Sequence, residues 1–205
     1  MPSTVGIVGA AGNLKNTQEP RLLGYKVNYI QNPSFEVGTG NWSGVAGATF
    51  ERVTTDSVNG SACLKVYNVS GSAVAHSAVP LETAGTYFVS AWVKQQEGNT
   101  TATNFFRVIQ TDTLGGSTIV ASNIGSTTPT IGQWTRLSAS FTKNASANYV
   151  IIRVVTGSTS DTDVFFVDSV MLQKTNSLEN YFDGDSEDSF WALTPHNSFS
   201  GKTPY

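Results

Sequence analysis

Trp134-Thr135-Arg136-Leu137-Ser138-Ala139-Ser140-Phe141 sets Leu137, Ala139 and Phe141 on one face and Arg136, Ser138 and Ser140 on the other. A period of two is that of a half-buried strand. Upstream, Tyr87 to Lys94 is apolar on both faces: Tyr87, Val89, Ala91 and Val93 alternate with Phe88, Ser90 and Trp92. Such a strand belongs in mid-sheet with its second side covered, by a neighbouring segment or by a ligand. Similar segments are expected at about 46–54, 62–69, 72–81, 104–112, 117–124, 148–156 and 164–173. Turn residues separate them, among them Asn59-Gly60, Ala84-Gly85, Glu97-Gly98-Asn99, Gly115-Gly116 and Gly157. Short strands without helical periods between them predict an all-β sandwich and not βαβ units.

Composition agrees. The 205 residues include 25 Thr, 23 Ser, 19 Gly and 15 Asn, and only 13% are charged. Val, Ile, Thr and aromatic residues favour a pleated chain over a helical one. A chain of this size buries roughly 70% of its unfolded surface. The formal net charge is −3 and basic residues do not cluster, so nucleic acid is not an expected partner. Cys63 is the single cysteine, which excludes an intramolecular disulfide framework and a multi-cysteine zinc site. Between Ala62 and Leu64 it reads as an ordinary strand residue. No segment has the ~18–20 apolar residues of a membrane span. Met1-Pro2-Ser3-Thr4 does not open a secretory signal.

Three regions follow: an irregular N-terminal arm at 1–31, a sandwich at 32–174, and a C-terminal extension at 175–205. The extension is acidic yet aromatic. Between Asp161 and Phe190 lie eight of the fifteen acids and one base, Lys174, while Tyr181, Phe182, Phe190, Trp191, Phe199 and Tyr205 fall in the last 25 residues. A disordered acidic tail is poor in aromatics, so this one is expected to pack against something.

Two resemblances are carried by particular residues. Asn32-Pro33-Ser34-Phe35-Glu36, Gly40-Asn41-Trp42, Gly85-Thr86-Tyr87, Val89-Ser90-Ala91-Trp92-Val93-Lys94, Gln133-Trp134-Thr135-Arg136-Leu137 and Phe165-Phe166-Val167-Asp168-Ser169-Val170 occur in order. Together they resemble the carbohydrate-binding-module jelly rolls found beside cellulase and xylanase catalytic domains. The ending, Tyr181-Phe182-Asp183-Gly184-Asp185, then Phe190-Trp191 and Thr194-Pro195-His196-Asn197-Ser198, resembles that of tail-associated proteins of phages infecting actinobacteria. In that pattern a Gly commonly follows the Trp, where this chain has Ala192.

The first resemblance implies a structural calcium between Glu36 and Asp168, since a hard cation takes six to eight oxygens and carboxylates from two strand ends can converge. The alternative is that both carboxylates accept backbone N–H groups at the sandwich edge. For glycan contact the candidates are Trp42, in a Gly-rich loop, Trp92, and Phe105 with Arg107 on one strand. Trp92 and Trp134 sit within strand patterns, where core packing is the usual fate of a large aromatic.

Other motifs fall away. Asp183-Gly184-Asp185-Ser186-Glu187-Asp188 lacks the EF-hand ligand spacing and reads as a solvated turn. Val5-Gly6-Ile7-Val8-Gly9-Ala10-Ala11-Gly12 mimics a dinucleotide loop without the βαβ context that loop needs. His76 and His196 support neither a metalloenzyme nor a catalytic triad. Acids are present for a glycosidase, but nothing sets their spacing. The expected role is therefore non-catalytic. It is a structural virion protein of a phage tail or tail tip, assembled in the host cytoplasm in multiple copies per particle. Residues 1–31 and 175–205 would contact other virion proteins, and the jelly roll would touch host-surface glycan. The alternatives are a carbohydrate-binding module proper and a capsid-decorating protein.

Overall fold

A computed structural model of the chain describes residues 24–67, 73–81, 83–158 and 160–204. Most of residues 1–31, with the glycine loop at 5–12, and Tyr205 lie outside the described residues. No described helix is long and apolar enough to cross a membrane.

Two antiparallel sheets face each other. The first runs β10 (Thr135–Thr142), β7 (Thr86–Gln95), β12 (Val164–Lys174), β4 (Cys63–Tyr67), β3 (Thr49–Val53). The second runs β2 (Trp42–Val45), β5 (Ala73–His76), β11 (Tyr149–Thr156), β8 (Asn104–Thr111), β9 (Thr118–Thr127), with β6 (Val79–Pro80) also paired to β11. The strands expected from periodicity are all found, the one at 72–81 divided into β5 and β6. β7 lies in mid-sheet, between β10 and β12.

The core is the sum of the inward faces. From the first sheet come Tyr87, Val89, Ala91 and Val93 of β7, Leu137 of β10, Phe165 and Val167 of β12, and Leu64 and Val66 of β4. The second contributes Val150, Ile152 and Val154 of β11, with Phe106 and Val108 of β8. Each Val, Leu, Ile or Phe among them, fully buried, stabilises the fold by about 1.5–3 kcal/mol relative to exposure. Ala139 and Phe141 pack against this cluster, as the alternation in β10 predicts.

The C-terminal extension does not reach outward. β1 (Lys26–Asn28), β14 (Ser200–Lys202) and β13 (Ser189–Trp191) form a third, three-stranded sheet that packs on the sandwich. Val27, Tyr29 and Phe199 belong to the common core, Phe190 packs against it, and Phe182 is fully buried. The aromatic content that argued against disorder is spent on the chain's own sandwich.

The joint is a bulge in β12. Val167 pairs with Val93 and Leu172 with Val89, so β12 carries one extra residue, and Ser169 adopts a φ of 52°. The freed backbone groups are taken up from the N-terminal side. Val170 N–H donates to Pro33 O at 2.9 Å, and Leu172 N–H donates to Asn28 Oδ1 at 3.1 Å. Asn28 Oδ1 also accepts from Ile30 N–H, while its Nδ2 donates to Val170 O and Phe182 O. A buried carboxamide with two donors and two acceptors filled is fully satisfied. Replacing it orphans four buried partners, so Asn28→Leu is expected to lower the unfolding free energy by about 2–4 kcal/mol in urea denaturation. A change under about 1 kcal/mol would mean that these partners find substitutes.

Candidate functional site

The edge beside the bulge holds both carboxylates singled out as calcium ligands. Each binds the same short loop before β4. Asp168 is fully buried; its Oδ2 accepts from Val58 N–H at 2.7 Å and Asn59 N–H at 3.1 Å, and its Oδ1 from Ser169 N–H. Glu36 accepts from Ser61 N–H, Ser61 Oγ and Ala62 N–H. Gly60, at φ 65°, leaves no room for a side chain, because the Glu36 carboxylate stands where a Cβ would project. Arg52 donates to the carbonyls of Phe35 and Glu36, each at 2.7 Å.

The edge carries two carboxylates, each held by several N–H or O–H donors. Burial pushes the Asp168 carboxyl up from 3.8 to about 7, although the three N–H groups it accepts favour the anion. Burial, then the charges of Asp168 and Glu36, raise the Cys63 thiol to about 12, so it is a structural and unreactive group. No third His, Cys, Asp or Glu completes a cluster among the described residues. Both carboxylates accept backbone N–H groups here, the alternative to a calcium site that the sequence left open; Glu36 and Asp168 are the residues that could hold a cation at this edge.

The outer faces of the two sheets differ. On the first sheet, Ser90, Met171 and Gln173 are almost wholly buried beneath the terminal segments. Arg136 bridges Ser90 Oγ and Glu179 O, and Lys26 pairs with Glu179 at 2.8 Å. Asp183 is buried and accepts from Ser34 and Tyr181, which makes the acidic run a turn tied to the sandwich. Toward the other end, Trp134 Nε1 donates to Asp56 at 2.9 Å, Asp56 pairs with Lys94, and the Lys94 ammonium stands 4.9 Å from the Phe166 ring centroid.

The second sheet presents a row of paired residues running across its strands: Ser43 opposite Ala75, Ala75 opposite Arg153, Arg153 opposite Arg107, Arg107 opposite Asn123. Alongside runs Val155, Phe105 and Ser126, and on the other flank Ile151, Ile109 and Ala121. Ala75, Ile109 and Val155 are shaded, whereas Ser43, Arg107, Asn123, Ala121 and Ser126 are exposed. The described ion pairs are Lys26–Glu179, Lys65–Glu51, Lys94–Asp56 and His196–Asp185; neither Arg107 nor Arg153 takes part. The Arg153 Nε is buried without a hydrogen-bond partner. Burial, then the charge of Arg107, pushes the Arg153 guanidinium below its ordinary value.

The four glycan candidates thus fall in three places. Phe105 and Arg107 share the open face. Trp92 stands on the outward side of the other sheet, half-buried opposite Asp168. Trp42, a glycan candidate on the reading that it lies in a Gly-rich loop, instead opens β2 and is 7% exposed, with its ring centroid 5.3 Å from that of Phe35 and its Nε1 donating to Asn32 O. A sugar ring has no access to it. Its neighbour His76 is buried between Gln31 and Ser77, and burial holds its pKa down to about 4. Nδ1–H donates to Ser77 O while Nε2 accepts from Gln31 N–H, as befits a neutral ring. His196 pairs with Asp185 and packs on Trp191. Arg153 escaped the sequence reading; its signal was a lone cation in the apolar run Tyr149 to Val155.

A family model described as a carbohydrate binding domain matches residues 27–162. No curated protein sequence matches the chain. Among solved structures, the C-terminal family 22 carbohydrate binding module of Clostridium thermocellum Xyn10B superposes with a TM-score of 0.63 at 21% identity, over 79% of this chain and 100% of that one. A xylan-binding domain of the same module family gives 0.62 at 19% identity, covering 75% and 98%. The enzymatically active domain of bacteriophage CBA120 tailspike protein 4 gives 0.54 at 14% identity, covering 71% of this chain and 21% of that one. At these identities the likeness is one of fold.

Asp168 gives the bulge a pH signature. Its folded pKa, about 7, exceeds the ordinary 3.8, so its contribution to stability is full below pH 3.8 and is lost as pH rises through 7. Unfolding free energy measured across pH 4–8 should therefore fall more steeply in the native protein than in Asp168→Asn. Parallel curves would assign the titration elsewhere.

Proposed function

Because the chain belongs to the carbohydrate-binding-domain family, we propose that it is a non-catalytic module that holds a polysaccharide along the open face of β2, β5, β11, β8 and β9. The observation that carries this reading is the contrast between the sheets. The chain covers the centre of one outer face with its own C-terminal extension and leaves on the other an aromatic ring, two cations and polar side chains without partners among the described residues. Phe105 supplies an apolar face for a pyranose, and Arg107, Asn123 and Ser43 supply hydrogen bonds to hydroxyls. Catalysis by a glycosidase needs two carboxylates across the bound sugar. The rows named on this face carry none. The neighbours described as xylan-binding support a plant-type or cell-wall polysaccharide as the class of ligand.

Calcium at Glu36 and Asp168 belongs to the same reading as a structural ion. It would neutralise the buried aspartate and pin the loop at 58–62 to the edge of the sandwich, away from the sugar. A second reading places the module on a phage tail, where it would meet host-surface glycan in several copies. It is supported by the tailspike neighbour and by the Tyr181-Phe182-Asp183-Gly184-Asp185 ending. Residues 175–204 are folded onto their own sandwich, so anchoring to other virion proteins would fall to other residues. Mass spectrometry of purified particles decides it: presence of the chain supports a virion role, and absence removes it.

A glycan array followed by calorimetry tests the main reading. Phe105→Ala should keep its melting temperature within a few degrees and lose about tenfold or more in affinity. Trp42→Ala should instead lose about 3–5 kcal/mol of stability. Unchanged affinity in Phe105→Ala would move the site off this face. Chelation with EDTA should lower the melting temperature, and calcium should restore it, in the native protein but not in Glu36→Gln; no shift in the native protein would remove the ion.

A further inference from the structure

Arg107 and Arg153 stand directly opposite each other on adjacent antiparallel strands. Paired positions of this kind bring Cβ atoms to within about 4.5–5.5 Å, and like charges there destabilise a sheet. Neither guanidinium has an acidic partner or a side-chain hydrogen bond among the described residues, and one nitrogen of Arg153 is both buried and unbonded. Buried polar atoms are mostly satisfied; the Arg136 Nε is also unbonded, but that guanidinium donates to Ser90 and Glu179, whereas Arg153 has no such bond among the described residues. The positive charge is local, since the whole chain carries a net −3. It is not a general affinity for anions.

We propose that the open face selects an acidic glycan, with the carboxylate of a hexuronate residue seated between the Arg107 and Arg153 guanidiniums and its ring over Phe105. The inference rests on the glycan-binding reading above and adds the class of sugar. A guanidinium is a planar fork that matches a carboxylate in two parallel hydrogen bonds, and an anion between two such forks turns their repulsion into attraction. The spacing suits a sugar acid. Phe105 precedes Arg107 by two residues on the same face, about 7 Å along the strand. A ring resting on the Phe105 and Val155 row therefore directs a carboxylate on its C5 toward the arginine row. Asn123 and Ser43, at the ends of that row, remain for ring hydroxyls.

Calorimetry with tetragalacturonate, tetramannuronate and glucuronic-acid-substituted xylotetraose, each against its methyl ester, tests the proposal. At least one acid should bind about tenfold or more tightly than its ester, with affinity falling as salt rises. Arg107→Gln and Arg153→Gln should each erase that difference, while Lys65→Gln, on the opposite sheet and paired with Glu51, should keep it. Arg107 is exposed, so its variant folds whatever Arg153 contributes to stability. Equal binding of acid and ester, or binding of unsubstituted xylotetraose alone, overturns this proposal and leaves a neutral-glycan module. Retention of the preference in both arginine variants overturns it as well. Failure of every oligosaccharide to bind overturns the glycan reading itself.

Discussion

The carboxamide of Asn28 lies where three parts of the chain meet, and all four of its hydrogen-bonding positions are used there. One side accepts from β12 and from Ile30 N–H; the other donates to β12 and to the C-terminal extension. The extra residue in β12 creates the demand, because a bulge leaves ladder groups without partners. The N-terminal segment satisfies it. Without this exchange Val170 and Leu172 would carry buried, unpaired backbone groups into the sandwich. Phe182 and the short third sheet would lose their connection to the core. The same bulge turns Asp168 toward the loop at 58–62, so the edge with its two carboxylates is a product of the joint.

Closing one face by the termini determines what the other can do. A sandwich of this size has two outer faces, and here the protein uses about thirty C-terminal residues to shade one of them. Ser90, Met171 and Gln173 become interior. On the opposite face a pair of arginines has no acidic partner among the described residues. Both sheets supply the core, and the exposed positions of the open face, Ser43, Arg107, Ala121, Asn123 and Ser126, lie outside it.

Much of this was legible in the sequence where a strand is long and its period clean. β7, β10, β11 and β12 announce themselves by alternation or by sustained apolar character. The second face of β7 was readable as covered, and the Ser90–Arg136–Glu179 contact is that cover. What escaped was short or long-range. β2 is four residues containing a Gly, and its register with β5 turns Trp42 inward against His76, which no local pattern discloses. β1, β13 and β14 have three residues each, and β1 exists only by pairing with β14 across more than 150 positions. Arg107 was readable from its strand. Arg153 became its partner only when β8 and β11 were set side by side.

Lys26 pairs with Lys202 at one end of the third sheet. Antiparallel pairing there makes the described chain enter and leave the fold at neighbouring points. The module hangs from a single pole, as a bead from a looped thread. A polypeptide joined at Gly24 or at Pro204 would attach at that pole, so grafting the described fold into a surface loop of another protein would need no long spacers.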